Sequence, residues 1–141
     1  MGMTESPQTS FTPYQPKKGE PYMGEPQKEH FRQILSAWRD ELSAEMDRAR
    51  HRMQDETVNY PDPTDRATQE SEMTLELRTR DRERKLIRKI EETLDQIDSG
   101  EYGYCESCGA EIGLRRLEAR PTATLCIDCK SLAEIRERQM G

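Results

Sequence analysis

Apolar residues are scarce in this 141-residue chain. They make up 32% of it and aromatic ones only 6%, with one tryptophan and two phenylalanines. An ordinary domain is ~45–50% apolar, so a conventional large hydrophobic core is excluded. No apolar run approaches the ~20 residues of a membrane-spanning helix, and none resembles a secretory leader; the sequence reads as that of a soluble protein. Only two histidines occur, His30 and His51, about six turns apart on one expected helix and too far to act together. No nucleophile motif, phosphate-binding glycine loop or His-x-x-x-His pair is present, so self-contained catalysis is not expected. A basic surplus is missing too. The net charge of −6 argues against nonspecific nucleic-acid binding.

What the chain has is charge, 35% of all residues, and ordered spacing. Mixed signs and periodic apolar positions exclude full disorder and leave an elongated helical protein with a narrow apolar seam. Residues 1–26 hold Pro7, Pro13, Pro16, Pro21 and Pro26, which preclude a long helix; a mostly disordered or extended arm is expected. From Gln27 the pattern changes. Phe31, Leu35, Trp38, Leu42, Met46, Ala49 and Met53 follow each other at steps of three and four, the signature of one apolar helix face. A helix of about 32 residues would be ~48 Å long, and its seam needs a partner.

Pro61 and Pro63 stop that helix, and Thr64 or Asp65 can cap a second one. The second is expected from about Asp65 to Asp98, with Ala67, Met73 and Leu77 in its distal half and Ile87, Ile90, Leu94 and Ile97 in its proximal half. Folding back about Pro61 sets Ile87 opposite Leu35 and Met73 opposite Ala49. Residues 27–99 therefore read as an antiparallel coiled-coil hairpin with its tip at 59–67.

Charge is segregated along the hairpin. Residues 55–76 hold seven acidic residues against Arg66 alone, and residues 78–89 hold seven basic residues against Asp81 and Glu83. The stretch Arg78 to Lys85 has no apolar residue over eight positions. Those two turns are either a solvated, ion-paired face where the coil is weak, or bases that hold something anionic. Asp62 and Asp65 are the only chemically suggestive carboxylates; they serve as turn-former and N-cap, or face outward together.

The four cysteines, Cys105, Cys108, Cys126 and Cys129, form C-x2-C-x17-C-x2-C, the spacing of a zinc site. Two thiolates two residues apart grip one face of a tetrahedral ion, and four of them leave no open coordination position. One structural Zn2+ is expected, in preference to an iron–sulfur cluster or a redox pair, and a reducing compartment favours metal over disulfides. Residues 100–141 read as this zinc-finger module plus a terminal helix, Ser131 to Met140, whose Leu132, Ile135 and Met140 would pack against the module or the coil base. The fold class is mostly α: a long antiparallel coiled-coil hairpin, a small four-cysteine module and a terminal helix.

The motifs Asp62-Pro63-Thr64-Asp65-Arg66-Ala67, Leu75 to Ile87, and the cysteine segment through Leu117 to Pro121 and Cys126 to Lys130 resemble the DksA/TraR family of zinc-finger, coiled-coil transcription factors. The resemblance covers roughly Gln27 to Met140 and, with all four cysteines present, is to the zinc-holding members. It implies a bacterial, cytoplasmic, monomeric protein that binds RNA polymerase without sequence-specific DNA contact and enters the secondary channel tip first. Residues matching the family's tip are Asp62, Asp65 and Ala67. The family acts with guanosine tetraphosphate (ppGpp) in the stringent response, lowering ribosomal RNA promoters and raising some biosynthetic ones. Leu86, Lys89, Arg120 and Lys130 match its alarmone contacts, and Arg82 its contact with the channel rim. The Pro-rich arm departs from the relatives and carries no assignable motif. Rival classes are a DNA-binding zinc protein, disfavoured because residues 100–141 are slightly acidic, and a structural adaptor whose coil pairs with another coil.

Overall fold

Gly24-Glu25-Pro26 opens the first helix with an acidic residue and a proline in its first turn, both favourable there. The computed structural model describes residues 11–55 and 63–140. Helix α1 spans Glu25–Asp55 and α2 spans Pro63–Ser99. They pack together and run antiparallel. Arg32, near the start of α1, pairs with Asp98 at the end of α2 (3.1 Å), while Arg52, near the end of α1, pairs with Glu76 in the first half of α2 (3.3 Å). Helix α2 begins at proline, so Thr64 and Asp65 lie inside its first turn instead of capping it from outside. Gly100, at φ 86°, ends α2, and the Glu101 N–H returns to the Gln96 carbonyl at 3.0 Å, a left-handed helix stop.

On α1 the expected face is the buried one. Phe31, Leu35, Trp38, Leu42 and Ala49 are buried, joined by Ile34, and Met46 and Met53 are half-buried. On α2 the seam differs from the expected one. The inward stripe is Glu83, Leu86, Ile90, Thr93 and Ile97, with Ile87 and Leu94 half-buried beside it. Thr93 enters the core because its hydroxyl donates to the Lys89 carbonyl at 2.7 Å, which satisfies a polar group internally. Continuing that stripe toward the tip reaches Arg80, Glu76 and Met73. Leu77 and Ala67, expected in the seam, are therefore exposed.

The charged stretch is neither simply solvated nor uniformly outward. Arg80 and Glu83 point inward, 12% and 1% exposed, with Nη1 and Oε1 at 2.7 Å. Burial raises the Glu83 carboxyl above its ordinary value; Arg80 opposes that shift, and Glu45 and Glu76 reinforce it.

Residues 11–24 are non-helical, as the prolines require, but they are tied down. The Tyr14 N–H donates to Glu118 Oε1 (2.9 Å), which also meets His30 Nε2 (2.7 Å). The Tyr22 hydroxyl donates to the Gly103 carbonyl (2.8 Å) and accepts from the Gly113 N–H (3.0 Å). Buried Gln27 accepts from the Met23 N–H and donates to Glu20, so its amide is satisfied on both sides. Two short helices complete the chain, α3 at Leu114–Ala119 and α4 at Ile127–Met140. Helix α4 corrects the expected packing: it buries no residue, and Leu132, Ile135 and Met140 are exposed. Among the described residues no helix is long and apolar enough to cross a membrane.

Candidate functional site: a sulfur cage, a cationic pocket and an exposed tip

The cage is built by two chain turns. In the first, the Cys105 N–H donates to the Ala110 carbonyl (2.8 Å) and the Gly109 N–H returns to the Cys105 carbonyl (2.9 Å). Gly109 sits at φ 77°, a backbone setting that glycine takes without strain. In the second, Cys126 precedes α4, and the Lys130 N–H donates to its carbonyl at 2.9 Å. A bond from the Glu106 N–H to the Thr124 carbonyl (2.9 Å) holds the two turns together.

This folding brings all four sulfurs within 4.8 Å of one another. Cys108 Sγ and Cys126 Sγ are 3.7 Å apart, and a tetrahedron with ~2.3 Å zinc–sulfur bonds has an edge of about 3.8 Å. The sulfurs also need a cation. N–H groups of Cys126 and Cys108 lower the Cys105 thiol to about 6, whereas hydrogen bonding to Cys126 first, then crowding by the other sulfurs, pushes Cys129 up to about 12. Neighbouring thiolates repel unless a positive ion lies among them. The donor set fits one structural zinc ion, which when bound would hold the two turns closed.

The cage shares its core with the hairpin. Tyr102, Cys105, Ile112 and Leu117 belong to the same buried cluster as Phe31, Trp38 and Ile97. The Tyr102 hydroxyl donates to the Pro121 carbonyl at 2.7 Å. Beside this junction lies a shallow pocket of about 130 Å³ lined by Lys89, Arg116, Arg120, Lys130 and the 122–125 loop. Four cationic residues and no acidic one line it. Arg116 carried no signal in the sequence; its Nε donates to the Leu125 carbonyl at 2.9 Å and braces the pocket wall. Leu86, one turn before Lys89, is buried in the core and does not line the pocket. Arg82 is exposed midway along α2, beside exposed Leu75 and Leu77. Asp65 and Ala67 are exposed in the first turns of α2, at the far end from the zinc cage. Asp62 lies outside the described residues.

Comparison with known proteins accounts for both halves. Residues 27–97 match the family model of the DnaK suppressor protein DksA, N-terminal domain, and residues 100–134 match the prokaryotic dksA/traR C4-type zinc finger. The RNA polymerase-binding transcription factor DksA of Escherichia coli K12 is 67% identical over 129 residues, covering 92% of this chain and 85% of the relative. Its namesake from Haemophilus influenzae is 63% identical, covering 92% and 89%. The solved structure of transcription factor DksA2 from Pseudomonas aeruginosa superposes with a TM-score of 0.79 at 42% identity, covering 88% of this chain and 94% of that one. With a hairpin, a four-sulfur cage and these relatives in agreement along its length, the chain belongs to the DksA family.

Proposed function

We propose that this chain is a cytoplasmic, monomeric transcription factor that binds RNA polymerase directly and catalyses no reaction of its own. The observation that carries the reading is the 67% identity, over 92% of the chain, to a relative named as RNA polymerase-binding. In this reading the hairpin enters the polymerase's secondary channel, with Asp62, Asp65 and Ala67 near the active site and Arg82 against the channel rim. It acts with ppGpp to repress ribosomal RNA promoters and activate some biosynthetic ones, without contacting DNA sequence-specifically.

The cationic pocket supports an alarmone role for Lys89, Arg120 and Lys130, because cations around one concavity suit a polyphosphate. Its volume of about 130 Å³ is well below the ~300 Å³ of a pocket that encloses a small ligand. The pocket would therefore hold phosphates, and a polymerase surface would cover the rest. Leu86 would act from the core beneath. The adaptor reading loses support, because a coil built for pairing needs a continuous apolar seam and this one is interrupted by Arg80 and Glu83.

The test is transcription in vitro from a ribosomal RNA promoter, with polymerase binding measured in parallel. Asp65→Asn is expected to keep its affinity within about threefold, as for an exposed side chain away from the main contacts, and to lose repression. Unchanged repression sinks the tip mechanism. Lys89→Ala is expected to weaken the added effect of ppGpp while zinc content stays at one ion per chain; an unaltered ppGpp response removes Lys89 from the site.

A further inference from the structure

No step of the proposed activity uses residues 11–24, yet their hydrogen bonds reach 81 to 104 residues along the sequence. Glu20 folds this arm. Its carboxylate accepts from the Lys17 N–H (3.0 Å), the Tyr14 hydroxyl (2.7 Å) and the amide of buried Gln27 in α1 (2.9 Å). Pro13, Pro16 and Pro21 fix φ along the same stretch, so less backbone freedom is lost when it orders. Met23 seats the arm's end: a Cβ on Gly103, which has φ 94°, would lie 2.9 Å from Met23 Cγ.

The long-range bonds converge on α3. At its start, the Gly113 N–H donates to the Tyr22 hydroxyl (3.0 Å), which donates in turn to the Gly103 carbonyl (2.8 Å). At its end, Glu118 Oε1 accepts from the Tyr14 N–H (2.9 Å) and meets His30 Nε2 of α1 (2.7 Å). The Glu118 and His30 side chains are 17% and 16% exposed, so water competes little for that contact. Helix α3 has six residues, too few to hold its shape alone. Leu117 anchors it in the core, but apolar contact is non-directional and does not fix its roll. Glu118 and Arg116 are about 200° apart around the helix, so the arm holds the face turned away from the pocket. Arg116 and Arg120, four residues apart, reach the pocket with Lys89 from the other face. The Arg116–Leu125 bond ties the pocket's walls to each other and Tyr102 holds Pro121. The bonds of Tyr14, Tyr22 and His30 tie α3 itself to the arm and α1.

We infer that residues 11–24 are a strap that fastens α3 at both ends and sets the roll of that helix, which places Arg116 and Arg120 in the pocket with Lys89. Tyr22 and Glu118 are its positioning residues and do not themselves line the pocket. That the pocket takes ppGpp rests on the reading above; the placement of α3 is measured separately.

The experiment compares the zinc-loaded full chain with Tyr22→Phe, Glu118→Gln and the double variant Tyr22→Phe/Glu118→Ala, each labelled with 15N at arginine. The Arg116 Nε–H signal, assigned by its loss in Arg116→Lys, reports on the pocket wall, because that group is bonded to the Leu125 carbonyl. Its exchange with solvent is expected to quicken about tenfold in the double variant, the scale of one or two lost hydrogen bonds. In Glu118→Gln, which keeps an oxygen for the Tyr14 N–H, it is expected to stay at the parent's rate. In transcription at equal polymerase occupancy, the double variant is expected to need about tenfold more ppGpp for half its effect, with repression in the absence of ppGpp unchanged. Should the double variant lose zinc or helix, Tyr22→Phe alone decides by the same two readouts. Unchanged Arg116 exchange overturns the proposal. Equal quickening in Glu118→Gln also overturns it, since the effect is then one of charge. So does faster exchange with an unmoved ppGpp requirement where Lys89→Ala moves it, because the pocket then works without the strap. If neither variant moves that requirement, faster exchange upholds the strap and sinks the ppGpp reading.

Discussion

Glu83 is 1% exposed, and its position among charged groups makes its proton a test of the seam. Its carboxyl is raised above the ordinary 4.5, by burial first, with Arg80 opposing and Glu45 and Glu76 adding. The folded state thus holds that proton more tightly than the unfolded chain. The stabilisation it brings is fully present below pH 4.5 and is lost as pH rises through the folded value. Glu83→Gln removes this dependence. The parent's thermal midpoint is therefore expected to fall progressively relative to the variant's as pH rises from 4.5 toward neutrality; a parent that gains on the variant over that range contradicts a raised carboxyl. Residues of this kind marked the limit of what the sequence disclosed. Cys105, Cys108, Cys126 and Cys129 were legible because metal chemistry dictates their spacing. Arg80 and Glu83 looked like any others in a charged run, because their burial is decided by Leu86 and Ile90 further along the helix.

At the scale of the element, α1 was legible and α2 only in part. From Phe31 to Leu42 every buried position of α1 is apolar, so period and burial coincide there. On α2 the inward stripe includes Thr93 and Glu83, which carry no apolar signal, and Leu75 and Leu77 lie outside it. The pattern of apolar residues therefore pointed to a face rotated from the true one. Two substitutions separate the faces. Leu86→Ala is expected to cost about 2–5 kcal/mol, as for a leucine lost from a packed core. Leu77→Ala should change stability by no more than about 0.5 kcal/mol. Urea unfolding followed by helical circular dichroism measures both, and equal losses would mean that Leu77 belongs to the seam. The arm escaped local reasoning for another reason: Tyr14 meets Glu118 and Tyr22 meets Gly103, pairs far apart in sequence that no period can announce.

For the whole molecule, the zinc cage and the hairpin base act as one unit, because Cys105, Tyr102 and Leu117 pack with Phe31 and Trp38. A module of this size has little else to fold it. Chelation of the ion is expected to unfold the cage and, through the shared core, to lower the midpoint of the hairpin itself. Zinc release measured alongside far-ultraviolet circular dichroism checks this; a hairpin transition that stays in place after metal loss would show that the two cores are separate.

The same junction is also a fulcrum. Helix α1 has 31 residues, a lever arm of about 46 Å, and a tilt of about 5° at its base swings the far end by about 4 Å over that length. Side chains such as Trp38 and Tyr102, which touch neither the exposed end nor the cationic pocket, thus govern aim. Variants that loosen them without unfolding the chain should misdirect the hairpin while leaving every residue at its far end intact.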